Sequence, residues 1–283
     1  MKKTVFIVGA GIMGRGIAQA VAEYGFDARL FDTLPGAVAK GMAGISRALD
    51  KRIEKNEIAV ADKQAILERI RPAGGMNEAA AAGFVIEAVK EDLAVKQAVF
   101  RELDKLCPTD TILGTNTSAL KISDLAAVTM HPERVIGIHF FNPAPRMPVV
   151  EVIPGAVTNP ATVAATREFA TAIGKTVVLA RETPGFVINR LLIPLINEAI
   201  CALQEGVATR EDIDAAMKLG ANHPMGPLVL ADMIGLDVIL SIMETLEKGF
   251  DDTKYRPSPL LRQMVAAGKL GRKTGTGFYD YTG

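Results

Sequence analysis

Gly9-Ala10-Gly11-Ile12-Met13-Gly14 spaces three glycines as G-x-G-x-x-G directly after the β-branched run Thr4 to Val8. At that spacing the first glycine permits a tight turn, the second lets the backbone approach a diphosphate, and the third lets the next helix pack closely on the strand. Free amides at the helix start then hold the phosphates. Gly9, Ala10, Gly11, Ile12, Met13 and Gly14 therefore read as a dinucleotide-binding turn. Asp32 closes the next β-branched run, Ala28 to Phe31. A carboxylate there accepts hydrogen bonds from the adenosine ribose hydroxyls and repels a 2′-phosphate, which favours NAD over NADP. An aspartate in that place can also cap a helix beginning near Pro35.

A second constellation pairs a base with an acid. His139 ends the run Arg134 to His139, and Glu151 lies in the next run, Val149 to Ile153, beyond the proline-rich turn Asn142 to Pro148. If the two runs lie side by side, the carboxylate fixes the imidazole tautomer and stabilises the imidazolium, as a general base requires. A histidine at the end of a buried strand can equally be a satisfied core residue. His131 and His223 each precede a proline and read as structural. Ser118 follows the run Thr111 to Gly114, at the carboxyl end of the sheet, where open α/β folds place ligands. Its hydroxyl can bond a substrate oxygen or a nicotinamide carboxamide, or Thr117 or Ser118 can cap the turn that follows.

The elements that must position these groups alternate. Thr4 to Val8, Ala28 to Phe31, Phe84 to Ala88, Thr111 to Gly114, Arg134 to His139, Val149 to Ile153 and Thr176 to Leu179 read as strands, with alanine-rich helical periods between them. That rhythm requires a parallel sheet covered on both faces. Pro35 to Arg69 is too long for a simple crossover and reads as a protruding helical pair. Beyond Thr183-Pro184-Gly185 the β-branched runs stop, and Phe186 to Gln204, Arg210 to Leu219, Leu228 to Glu247 and Leu260 to Ala267 carry helical spacing. The expected architecture is α/β: a Rossmann-like, mostly parallel sheet domain over 1–184, followed by an all-helical C-terminal domain over 185–283.

Composition narrows the function further. Lys plus Arg and Asp plus Glu both total 32, so the formal net charge is zero and no whole-chain field attracts nucleic acid or an anionic membrane. A polyanionic ligand must be held by local arrangements. Cys107 and Cys201 stand far apart outside any C-x-x-C, which argues against a disulfide scaffold or a cysteine-built metal site and for a reducing compartment. Lys2, Lys3 and the apolar stretch after them mimic a secretory signal, but Gly9, Gly11 and Gly14 would weaken its helix. Phe186 to Leu203, the best membrane-span candidate, is interrupted by Asn189, Arg190, Asn197 and Glu198. A cytoplasmic protein is expected.

Over essentially its whole length the chain resembles the 3-hydroxyacyl-CoA dehydrogenases, and among them the short bacterial 3-hydroxybutyryl-CoA branch. Besides the two constellations, the resemblance rests on Ile86-Glu87-Ala88-Val89-Lys90-Glu91-Asp92-Leu93, Thr115-Asn116-Thr117-Ser118 and Thr183-Pro184-Gly185-Phe186-Val187-Ile188-Asn189-Arg190. His223-Pro224-Met225-Gly226-Pro227 and Gly275-Thr276-Gly277-Phe278-Tyr279 complete it. The resemblance implies His139 as general base, Glu151 as its partner, and Ser118 and Asn189 bordering the reacting carbon. It implies an acyl-CoA substrate, no metal, and further NAD contacts from Glu91, Lys96, Ser118 and Asn142, although Glu91 and Lys96 also read as solvent-facing charges of a surface helix; Lys273, ahead of the glycine-rich tail with Lys269 and Arg272, can reach the cofactor or keep a loop soluble. Lys51, Arg52 and Lys55 can anchor the coenzyme A phosphates; beside Asp50, Glu54 and Glu57 they also read as a solvated charged face. A homodimer through the C-terminal domain is implied as well, with intrachain packing of Phe186, Leu191, Leu192, Ile193, Leu195 and Ile196 as the alternative. Two rival functions fit the same residues: a sugar-acid (gulonate-type) dehydrogenase, and a non-enzymatic NADH-binding protein of this fold.

Overall fold

The computed structural model describes residues 3–282. The chain divides into two compact units, Met1–Glu182 and Thr183–Gly283.

The strands of the first unit are β1 (Thr4–Val8), β2 (Asp27–Phe31), β3 (Ile70–Pro72), β4 (Phe84–Glu87), β5 (Ile112–Thr115), β6 (Val135–Phe140), β7 (Val149–Pro154) and β8 (Thr176–Leu179), all but β3 arising from the β-branched runs. They form one eight-stranded sheet in the order β3-β2-β1-β4-β5-β6-β7-β8. Every neighbouring pair is parallel except β6 and β7. Val5, Phe6, Ile7 and Val8 are all at most 2% exposed, which is why β1 reads as a continuous apolar run: both its faces are covered. The covering helices are α1 (Ile12–Glu23), α2 (Ala37–Glu54), α3 (Val60–Arg69), α4 (Leu93–Leu106), α5 (Ile122–Ala126) and α6 (Pro160–Ala172). Asp92 caps α4 through the Val95 amide, and Asn159 caps α6 through the Thr162 amide ahead of Pro160.

Strand β3 lies outside the expected set of strands. Its three residues include an exposed arginine and a proline at the sheet edge, too short and too polar to register as a run. The order reverses between β1 and β4, so the carboxyl ends of these two strands flank the switch point where open sheets bind ligands. The glycine turn follows one of them and residues 88–92 follow the other.

The second unit holds α7 (Ile188–Gln204), α8 (Arg210–Leu219), α9 (Pro227–Ile234), α10 (Leu236–Phe250) and α11 (Pro259–Ala266). Ile193, Ile196, Ile200, Leu228, Leu236, Met243 and Leu246 form its core. The helix expected over Leu228 to Glu247 is two helices, broken at Gly235, whose φ of 104° no side-chain-bearing residue adopts readily. Apolar spacing continues through the break, so periodicity alone shows one helix. Isolated bridges in the tail, Gly271 to Thr276 and Thr276 to Asp280, are its extended pairings among the described residues.

Candidate active site

The glycine turn is dictated by crowding on one side and openness on the other. Gly9 has φ +105°, and a Cβ there would lie 2.6 Å from the Ala88 carbonyl oxygen. A Cβ on Gly14 would collide with the Gly9 carbonyl, so helix α1 and β1 close only with glycine at that position. At Gly11, by contrast, a Cβ meets nothing within 4 Å. A side chain there would fill the space over the amides that open α1, which is where a dinucleotide diphosphate belongs. The residues present fit NAD. The half-buried Asp32 accepts from the Ala10 amide at 2.7 Å and from the Leu34 amide at 2.9 Å. It thus braces the glycine turn and caps a short turn, while α2 starts only at Ala37.

His139 and Glu151 occupy directly opposed positions of the antiparallel β6–β7 pair. Opposed residues project from the same face, so the register itself brings the side chains together. Nδ1 of His139 lies 2.8 Å from Oε2 of Glu151. Glu151 is fully buried and His139 is 6% exposed, with the Phe141 ring 4.5 Å from the imidazole centroid. A carboxylate on Nδ1 selects the tautomer that carries its lone pair on Nε2. This antiparallel return is the one departure from a parallel sheet, and it is what makes the pair.

Ser118 sits in the turn after β5, held from beneath by Glu91. Oε1 of Glu91 accepts from the Thr117 hydroxyl at 2.5 Å, the Ser118 amide at 2.8 Å and the Ala119 amide at 3.2 Å; the Ser118 hydroxyl lies 3.3 Å away. Thr117 is the local cap, accepting from the Leu120 amide at 2.9 Å. Burial pushes the Glu91 carboxyl up, but Lys96 and the bonds from Thr117 and Ser118 outweigh it and hold the group below its ordinary value. The Lys96 ammonium lies beneath, 2.7 Å from Glu87 and 3.2 Å from Glu91, with the side chain 1% exposed. Asn116 ties this turn to the histidine strand, its Oδ1 accepting from the Phe140 amide at 2.8 Å.

A cavity of about 340 Å³ opens beside the glycine turn, lined by Arg15, Gln19, Lys51, Arg52, Lys55 and the loop Asn142 to Arg146. The Arg52 guanidinium is engaged by Glu23 at 2.6 Å and Glu57 at 3.4 Å, and Arg146 pairs with Glu57 at 2.8 Å. Lys175 secures the same loop from inside, donating to the Ala144 and Met147 carbonyls at 2.8 Å each. Its burial pulls the ammonium below its usual pKa, against an opposing field from Glu23.

The first unit therefore brings together His139 with Glu151, Ser118 with Glu91 and Lys96, and the glycine turn with Asp32. Asn189, on the first turn of α7 and 9% exposed, belongs to the second unit, as does Lys273, which pairs with Asp237 at 2.5 Å. Sequence reasoning left Glu87, Asn116, Arg15, Arg146 and Lys175 without roles. Glu87 carried a usable signal: a carboxylate ending the run Phe84-Val85-Ile86 cannot be buried without partners. No group of three or more His, Cys, Asp or Glu among the described residues is placed to hold a metal. No helix among them is long and apolar enough to cross a membrane.

A glycine turn at the switch point of a parallel sheet, with a histidine–carboxylate pair on a strand of the same sheet, defines an NAD-dependent oxidoreductase of the Rossmann class. The family described as "3-hydroxyacyl-CoA dehydrogenase, NAD binding domain" matches residues 4–183, and its C-terminal domain matches residues 185–281. The chain belongs to the 3-hydroxyacyl-CoA dehydrogenase family. It is 50% identical over 279 residues to a probable 3-hydroxybutyryl-CoA dehydrogenase of Bacillus subtilis, covering 99% of this chain and 97% of the relative. It is 48% identical to the 3-hydroxybutyryl-CoA dehydrogenase of Clostridioides difficile, covering 97% and 98%. The crystal structure of (S)-3-hydroxybutyryl-CoA dehydrogenase PaaH1 from Ralstonia eutropha superimposes with a TM-score of 0.95 at 47% identity, covering 100% of both chains.

Proposed function

We propose that the protein catalyses the reversible, NAD-dependent oxidation of (S)-3-hydroxyacyl-CoA to 3-ketoacyl-CoA, with 3-hydroxybutyryl-CoA as its substrate. The observation that carries this reading is the 2.8 Å contact between His139 and Glu151 on opposed strand positions. Bound NAD supplies the hydride acceptor. His139 takes the hydroxyl proton on Nε2 as the C–O bond becomes a carbonyl, while Glu151 accepts from Nδ1–H and stabilises the imidazolium. Ser118 donates to the substrate oxygen, holding the hydroxyl toward the base. The turn Gly9 to Gly14 binds the diphosphate and Asp32 the ribose, with Glu91, Lys96 and Asn142 completing the cofactor contacts of the first unit. Lys96 does so through Glu91, beneath which it is buried.

The cation-lined cavity favours a coenzyme A thioester over a free sugar acid, because a polyphosphate ligand in a chain of zero net charge needs a local anchor. Lys51 and Lys55, with Arg15, fit the anchoring role better than Arg52, whose guanidinium is engaged by Glu23. Residues 1–184 then serve as the NAD-binding catalytic domain and 185–283 as the substrate and dimerisation domain of a cytoplasmic homodimer. Of the apolar residues considered for that association, Leu191 is exposed and available, whereas Phe186, Ile193 and Ile196 are buried within the chain.

The test is NADH formation by the purified chain from (S)-3-hydroxybutyryl-CoA, longer 3-hydroxyacyl-CoA, 3-hydroxyadipyl-CoA and gulonate. Four-carbon thioester turnover supports the reading. Preference for gulonate assigns the sugar-acid activity, and NADH binding without turnover of any donor assigns a binding protein.

A further inference from the structure

Five residues, four through their side chains and Thr117 through its hydroxyl and amide, close a polar ring under the Ser118 turn. Glu87 Oε1 accepts from Lys96 Nζ at 2.7 Å, and the same ammonium lies 3.2 Å from Glu91 Oε2. The other oxygen of Glu91 accepts from the Thr117 hydroxyl at 2.5 Å. The Thr117 amide donates to the Thr115 hydroxyl at 3.2 Å, and that hydroxyl donates to Glu87 Oε2 at 2.7 Å. Glu87 lies across the ring from the turn and reaches it by two routes: through Lys96 and Glu91 to the Ser118 amide, and through Thr115 to the Thr117 amide. Its remaining bond, from the Val89 amide at 2.7 Å, fixes the start of the segment that carries Glu91.

Stability alone does not account for this arrangement. Glu87 is 0% and Lys96 1% exposed, and a buried ion pair commonly stabilises a fold no more than packed apolar groups of the same volume would. What a fully bonded polar network does provide is a single geometry. Misplacing a reacting or orienting group by about 1 Å costs about a hundredfold in rate. The ring is aimed at the one turn that carries a proposed reacting-site hydroxyl.

We propose that Glu87 is a positioning residue for the dehydrogenase reaction, holding the Ser118 hydroxyl in place through Lys96–Glu91 on one side and Thr115 on the other. This rests on the reaction proposed above. Glu87 touches neither substrate nor cofactor; its output is the orientation of Ser118.

The experiment is a double-mutant cycle on the full chain, reading kcat, KM for 3-hydroxybutyryl-CoA, NADH affinity and thermal midpoint for Glu87→Gln, Ser118→Ala and the double variant. Glutamine keeps the shape but removes one of the two carboxylate charges beside Lys96. Glu87→Gln is expected to lower kcat by about 10- to 100-fold with KM changed less than about threefold. In the Ser118→Ala background the same change is expected to cost less than about twofold more, because its target is gone. A merely structural role would cost the same factor in both backgrounds, and that multiplicative result overturns the inference. So does Glu87→Gln turnover within about threefold of the parent, or a Ser118→Ala variant of unchanged kcat. If Glu87→Gln fails to fold, Thr115→Val opens the ring by removing the hydroxyl that links Glu87 to the Thr117 amide, with little change of volume, and the cycle is repeated with the same expectations. Absence of NADH formation by the unsubstituted protein would overturn the reaction itself, before any variant is compared.

Discussion

Glu151 and Glu87 in the first unit and Asp214 and Asp232 in the second are all 6% exposed or less, yet their partners differ in kind. Glu151 meets an imidazole, and Glu87 meets an ammonium and a hydroxyl. Asp214 instead accepts from the Leu228 and Val229 amides at the start of α9 and from the Tyr279 hydroxyl. Asp232 accepts from the Phe278 and Tyr279 amides and the Tyr281 hydroxyl, stitching the C-terminal tail onto α9. Burial, helped by Asp214, raises the Tyr279 phenol well above its ordinary pKa, so that partner stays neutral. Burial therefore does not by itself mark a catalytic carboxylate. What separates the two regions is whether the partner can take or give a proton, or orients a group that does.

That distinction can be broken by substitution. Glu151→Gln should lower kcat by about a hundredfold or more, since the imidazolium loses its stabilising charge, with little change in NADH affinity; steady-state rates and NADH titration check it. Asp232→Asn should act on folding instead, costing about 1–3 kcal/mol because an amide cannot accept from all of the tail's donors. Denaturant unfolding of the full chain measures that, and unchanged unfolding would contradict the stitching role. Asp32→Ala should narrow the preference for NAD over NADP by about tenfold, through loss of one repulsive charge, read as the ratio of kcat/KM for the two cofactors.

The smallest effect is acid sensitivity. The folded Glu91 carboxyl lies below its ordinary value of 4.5, so the unfolded chain binds more protons there. The contribution of Glu91 to stability is complete above 4.5 and is lost as pH falls through the lower folded value. Comparing the pH dependence of unfolding in the parent and in Glu91→Gln should show that part of the acid slope missing from the variant.

The same contrast governs how much the sequence discloses. The glycine turn, Asp32 and the strand runs are local, so spacing alone placed them. The His139–Glu151 pair was legible because each residue sits in its own β-branched run with a proline-rich return between. Glu87 was visible inside a motif but not interpretable, because its partners Lys96 and Thr115 come from α4 and β5. The motifs around Gly226 and Gly275–Tyr279 were equally visible; only the folded chain gives them Asp214 and Asp232 to pack against. The break at Gly235 escaped because apolar periodicity is blind to a single positive φ.

The central claim is that His139 is the proton acceptor. Single-turnover NADH formation at saturating NAD and (S)-3-hydroxybutyryl-CoA, in the parent and in His139→Gln, tests it with binding removed from the comparison. A loss of about 10²- to 10⁴-fold in the variant is the predicted result. A single-turnover rate close to that of the parent would contradict it.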